Sequence, residues 1–195
     1  SSSLSWCVAS LCPAPSRVCG SSSYNMGDDT LDRDARIMLS IGAKYDDQFE
    51  LASGLVFDHH RGLLLVVDSS KHRVQVFSCD DGSFVSKLGE KGIQPGQLKH
   101  PEMIAIDHDH DRILITDSGN KRVQSWSLSD QSFLSCIGHR GSGDLEFYYP
   151  RGIAIDKHHH RIIIADSNND RLVFLSSIDL SFLFEIGNRG SQPGE

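Results

Sequence analysis

The chain repeats itself every 49 residues, and no other feature narrows its possible folds as much. Asp58, Asp107 and Asp156 keep the interval, as do Asp68, Asp117 and Asp166, then Arg73, Arg122 and Arg171, then Gly89, Gly138 and Gly187. A unit of this size cannot bury its own apolar face, so it must stack on its neighbours and share a continuous core. Within each unit the apolar residues fall in short β-branched runs broken by polar turns, a pattern that excludes helical repeats.

In the unit opening at Gly152 the runs are Gly152 to Asp156, Arg161 to Asp166, Arg171 to Ser176 and Ser181 to Ile186. The unit before it offers Met103 to Asp107, Arg112 to Asp117, Arg122 to Ser127 and Ser132 to Ile137. The first offers Gly54 to Asp58, Leu63 to Asp68, Arg73 to Ser78 and Ser83 to Leu88. Four short antiparallel strands per 49-residue unit, arrayed radially, describe a β-propeller blade. The expected class is therefore all-β, with repeats over about 54–102, 103–151 and 152–195 inside a blade region 34–195.

Residues 1–33 are rich in Ser, Gly and Pro and lack apolar periodicity, as expected of a disordered tail. Arg36-Ile-Met-Leu-Ser-Ile41-Gly42 aligns with Ser83 to Gly89 and reads as an outer strand with no first three, the device that closes a propeller ring. Propellers usually contain about four to eight blades. Three blades plus one strand therefore imply that the rest comes from a parent chain or from self-association. Apolar faces of the first and third blades are expected to be uncovered without it.

Composition sets further bounds. A net charge of −7 opposes indiscriminate binding to nucleic acid or anionic membrane. The longest apolar runs, such as Leu63 to Val67 and Ile162 to Ala165, are far shorter than the roughly 20 residues of a spanning helix. Leu4 to Cys12 has no basic flank and makes a poor signal peptide. Five cysteines, with Cys79 and Cys136 in different columns of the repeat, give no disulfide framework and point to a reducing, cytoplasmic location. Cys7, Cys12 and Cys19 lack the close spacing of zinc-chelating pairs.

The order Pro150-x-Gly-Ile-Ala-Ile-Asp156, then Ile163-Ile-Ala-Asp166-Ser-Asn-Asn-Asp-Arg171, then Phe182 to Gly187 and a Gly-rich linker, resembles the NHL repeat. The stretch for which that family is named reads here as Asn169-Asp170-Arg171-Leu172, Asn120-Lys121-Arg122-Val123 and Lys71-His72-Arg73-Val74. The resemblance covers 36–195 and implies a six-bladed propeller. It further implies a recognition platform for proteins or single-stranded RNA, often in ubiquitin-ligase-type proteins carrying a RING and B-boxes. The zinc clusters of those domains are absent from this sequence, so ligase activity would belong to other parts of such a protein. A minority branch is the metal-dependent lyase that cleaves peptidyl-hydroxyglycine, whose histidines, Tyr and Arg do not map onto this chain.

Among individual residues, the Asp and Arg that bracket the second turn of every blade suit bidentate pairing, and their presence in each unit marks them as structural. Seven of the ten histidines crowd the first turns: His59, His60, His108, His110, His158, His159 and His160. Their columns are inconsistent, so they read as solvated hairpin residues, and no metal site or cofactor is expected. Lys44, Lys91, Arg140 and Arg189 each follow a strand-ending glycine by two residues. In a propeller these linkers share a face with the second turns bearing Lys71 and Lys121, opposite the histidine turns. The resulting basic crescent could hold phosphates or an acidic peptide. Tyr148 and Tyr149, in the longest linker, could stack on a base or side chain, whereas Phe147 aligns with Leu98 and reads as a core anchor. No nucleophile elbow, phosphate loop or H-E-x-x-H motif occurs. The expected function is non-catalytic binding of a protein partner through that face, with single-stranded RNA as the alternative ligand.

Overall fold

The computed structural model describes residues 48–188. The expected tail, the strand at Arg36 to Ile41, and two of the candidate cations, Lys44 and Arg189, lie outside them. Three four-stranded antiparallel sheets follow one another along the chain. The first is β1 (Ala52–Asp58), β2 (Leu63–Asp68), β3 (Arg73–Ser78) and β4 (Phe84–Leu88). The second is β5 (Pro101–Asp107), β6 (Arg112–Asp117), β7 (Arg122–Ser127) and β8 (Phe133–Ile137). After a small parallel pair in the linker, β9 (His139–Arg140) with β10 (Glu146–Phe147), the third is β11 (Pro150–Asp156), β12 (Arg161–Asp166), β13 (Arg171–Ser176) and β14 (Phe182–Ile186). Each sheet is a meander in sequence order, the layout of a propeller blade.

The second strands read as continuous apolar runs, and those of blades 1 and 2 are buried on both faces. Leu65 and Val67 of β2 join Ile104, Ile106, Ile113 and Ile115 in the core between blades 1 and 2. Leu64 and Val66 point the other way, into a smaller cluster with Phe77 on the far side of blade 1. The period of two repeats in β6, where Ile113 and Ile115 face blade 1 while Leu114 faces Ile153, Ile162 and Ile164 of blade 3. On blade 3, Leu172, Leu183 and Ile186 remain exposed at 39%, 44% and 50%, as expected of an apolar blade face with no described neighbour.

First strands begin two residues earlier than their apolar pattern suggested, at Ala52, Pro101 and Pro150. These residues pair with Asp68, Asp117 and Asp166, and a bulge then separates them from the regular ladder. Proline reads as a strand stop, yet it is tolerated as a first residue or beside a bulge, where no ladder N–H is needed.

Glycine ends each fourth strand because a positive φ is needed there: +77° at Gly89, +94° at Gly138 and +97° at Gly187. A Cβ at Gly138 would also lie 2.4 Å from the ring of Phe147, and one at Gly89 would lie 2.5 Å from Leu98. Leu98 and Phe147 are fully buried, so the linker folds back over the glycine and inserts its anchor into the core as the alignment predicted. The chain then re-enters at the next first strand. Among the described residues no helix is long and apolar enough to cross a membrane.

Candidate functional site

Every second turn is built around its Asp and Arg. Asp117 is wholly buried, and its Oδ1 accepts from the Lys99 amide at 2.7 Å. Its Oδ2 accepts from Arg122 Nε at 2.8 Å, Asn120 Nδ2 at 2.8 Å and Gln124 Nε2 at 2.9 Å. The Arg122 fork is not bidentate on the carboxylate. It reaches instead to the linker carbonyls of Ile93, Gln94 and Gln97 at 3.1, 2.8 and 2.8 Å. The Gln94 carbonyl also accepts the Gln97 amide at 3.0 Å and the Gln97 carbonyl also accepts from Gln124 Nε2 at 2.5 Å, so the guanidinium joins a linker turn that is already hydrogen-bonded and ties it to the blade.

Blade 3 repeats the arrangement. Asp166 accepts from the Tyr148 amide at 2.8 Å, from Asn169 at 2.6 Å and from Arg171 at 3.3 Å, and Arg171 donates to the carbonyls of Ser142, Gly143 and Glu146. In blade 1 the Asp68–Arg73 pair is 3.3 Å long, and Lys71, which occupies the Asn120 column, donates to the Gln48 carbonyl at 2.6 Å. These pairs are structural staples that fasten each linker to its blade.

The staples also fix the face on which the candidate cations stand. Because each blade is a meander, second turns and linkers share one end of the strands, and first and third turns share the other. At each blade interface on this face, the left-handed residue of one second turn meets the residue just before the next first strand. Between blades 1 and 2 these are His72 and His100, with ring centroids 4.5 Å apart and the His100 amide donating to His72 Nδ1 at 3.0 Å. Between blades 2 and 3 the same columns hold Lys121 and Tyr149, with Nζ 3.7 Å from the ring centroid. Arg140 lies 5.1 Å from the centroid of Tyr148, and Arg151 lies 5.6 Å from that of Tyr149.

Of the residues singled out by sequence, the structure therefore brings Lys121, Arg140, Tyr148 and Tyr149 together. Lys91 sits further along, beside His72 and its partner His100, and Lys71 is engaged with the approach to β1. His72, His100, Lys99 and Arg151 belong to the same surface and were missed. The signal that could have found the first two is columnar, since they align with Lys121 and Tyr149.

Positive charge is concentrated here despite the acidic total. Burial, with Arg140 and Lys99 adding repulsion, lowers the Lys121 pKa below the ordinary lysine value, and Asp166 offsets part of this. Burial likewise lowers His72, helped by His100 and Lys91. Among the described residues Lys121 and Arg140 form no ion pair, and Asp166, the carboxylate that acts on Lys121, is engaged in its staple.

At the opposite end, His110 and His159 pair with Asp107 at 2.9 Å and Asp156 at 2.7 Å, and Arg61 does the same with Asp58 at 3.1 Å. These three occupy one column of the repeat. Burial lowers the pKa of His108 in the same set of turns.

Comparison with known proteins supports the architecture. The family DUF5128, described as a 6-bladed beta-propeller, matches residues 46–139, a little under half of the chain. Comparison with curated proteins gives no match. Among solved structures, a Bacteroides fragilis protein is similar at 19% identity and a TM-score of 0.56, over 73% of this chain and 39% of that one. The RRP9 WD40 repeats are similar at 15% identity and a TM-score of 0.55, over 69% and 38%. A chain of a nidogen/laminin complex is similar at 22% identity and a TM-score of 0.54, over 70% and 50%. At these identities the likeness shows the fold alone. The chain spans half or less of the length of each structure.

Proposed function

We propose that the chain is a non-catalytic recognition module that captures an acidic segment of a protein partner on the face of linkers and second turns. One observation carries this reading. Lys121 and Arg140 are held beside Tyr148 and Tyr149 with no carboxylate of their own among the described residues. Rings that pre-orient cations, next to unneutralised charge, suit the Tyr- and Arg-rich centre of a protein interface. Lys91 and Lys99 extend the positive surface and would steer an acidic partner toward it. The staple of Asp, Arg and linker in every blade supports treating the repeats as NHL-type, which would place this surface among recognition platforms.

The test is titration of the chain with a synthetic Asp/Glu-rich peptide and with single-stranded oligouridine at two salt concentrations. The peptide is expected to bind, to weaken as salt rises, and to lose about tenfold or more in affinity, about 1.4 kcal/mol, in Lys121→Glu/Arg140→Glu. Equal affinity in the wild type and the variant would reject this face. Binding of the oligonucleotide but not the peptide would replace the protein ligand with RNA.

A further inference from the structure

The histidine turns hold a feature that column-by-column alignment hides. His60, in the first turn of blade 1, packs across the interface against His108, in the first turn of blade 2, with ring centroids 4.4 Å apart and the rings tilted by 33°. They occupy different columns, since His60 aligns with Asp109 and His108 with His59. Only the packing of neighbouring blades brings them together. Asp58, fully buried at the end of β1, completes a set in which one ligand atom from each residue lies within 4.8 Å of the others.

We propose that Asp58, His60 and His108 form a binding site for a zinc-class divalent cation that bridges blades 1 and 2. Two imidazoles and a carboxylate are the donor set of zinc and its transition-metal neighbours, whereas calcium and magnesium take oxygen ligands. With bonds of about 2.0–2.1 Å, a tetrahedral ion holds its ligands roughly 3.4 Å apart. The set must therefore contract by up to about 1.4 Å, which rotation of the exposed His60 side chain can supply. Three protein ligands leave a fourth position open to water or to a donor from outside.

Asp58 is prepared for this role on one side and guarded on the other. Its Oδ1 accepts the amides of His60 at 3.1 Å and Arg61 at 3.3 Å, which fixes the carboxylate. Its Oδ2 meets Arg61 Nη1 at 3.1 Å, a cation where the ion would sit. Arg61 has a second carboxylate within reach, Asp111, 3.5 Å from Nη2. The guanidinium can therefore yield Oδ2 and keep an ion pair.

The next interface supplies an internal comparison. The positions equivalent to Asp58, His60 and His108 are Asp107, Asp109 and Lys157 there, and Asp107 is held by His110 and Arg112. A charged lysine cannot ligate a metal. Among the described residues the donor set is thus particular to the first interface.

Calorimetric titration of the chelator-treated chain with zinc chloride tests the proposal, with thermal melts to confirm folding. One equivalent should bind, and calcium chloride should give no heat. His60→Ala and His108→Lys should each weaken binding by about tenfold or more. The lysine variant introduces the residue with which the next interface already folds. Arg61→Ala should tighten binding by removing the competing cation, and unchanged or weaker binding would remove Asp58 from the ligand set and overturn the site as drawn. No zinc bound by the wild type would also overturn it. So would full affinity in His60→Ala/His108→Lys, or a loss confined to His158→Ala/His159→Ala, which would mean an adventitious ion only.

Discussion

Replacing Asp117 by alanine removes the centre of the best-formed staple, and the geometry fixes how much that should cost. The carboxylate is inaccessible to solvent and serves four donors, from Lys99, Asn120, Arg122 and Gln124, at 2.7 to 2.9 Å. Arg122 is 8% exposed and would keep its three linker carbonyls but lose its counter-charge. Breaking a buried pair by deleting one partner costs about 3–5 kcal/mol, and the cost here belongs at the upper end because three further donors are stranded. For a chain of this size, that loss lowers the melting temperature by roughly 6–20 °C. Urea denaturation of the wild type and of Asp117→Ala measures the change directly. Hydrogen exchange should also show faster exchange at the amides of 91–98, because the staple fastens that linker. Asp68→Ala should cost less, since its pair with Arg73 is longer, at 3.3 Å, and the arginine side chain is 15% exposed. A folded Asp117→Ala protein that loses under about 1 kcal/mol would refute the staple as a main source of stability.

Two further outcomes follow from the same structure. Gly138→Ala should cost about 2–4 kcal/mol in a denaturant titration, because the alanine must adopt a φ of +94° and displace the fully buried Phe147 ring; a loss below about 1 kcal/mol would show that the linker is loose. The lowered pKa values of His72 and His108 mean that the unfolded chain takes up more protons than the folded one, so their contribution is present above the ordinary histidine value of 6.5 and is lost as pH falls through it. The melting temperature should therefore begin to decline as pH falls below about 6.5, ahead of the carboxylates of Asp81, Asp130 and Asp179, the last held at about 2, and His72→Asn/His108→Asn should flatten this first decline.

Much of this architecture was legible in the chain because the period and the burial pattern agree. The second and third strands of all three blades begin and end where the predicted runs do, since in blades 1 and 2 these residues are buried on both faces, blade 3 carries the same pattern, and the turns between them are polar. Starts of the first strands were not legible. Pro101 and Pro150 look like stops, and only the bulge that follows makes them compatible with pairing to Asp117 and Asp166.

The Asp and Arg columns announced a pair but not its geometry, because the linker carbonyls that take the arginine fork carry no side-chain signal. On the candidate face, charge spacing pointed to Lys121 and Arg140. The contact of Lys121 with Tyr149 and of His72 with His100 depends on how adjacent blades meet, as does the pairing of His60 with His108. A diagonal contact between repeats is invisible to any comparison made within one column.

We propose that the end of the blades bearing the linkers, and not the end bearing the histidine turns, is the recognition surface. Amide chemical-shift mapping of the chain during titration with the acidic peptide tests it directly. Perturbations should cluster at Lys91, Lys99, Lys121, Arg140, Tyr148 and Tyr149, with the turns at 59–61, 108–110 and 157–160 unmoved. Shifts concentrated in those turns, or spread evenly over both ends, would contradict it.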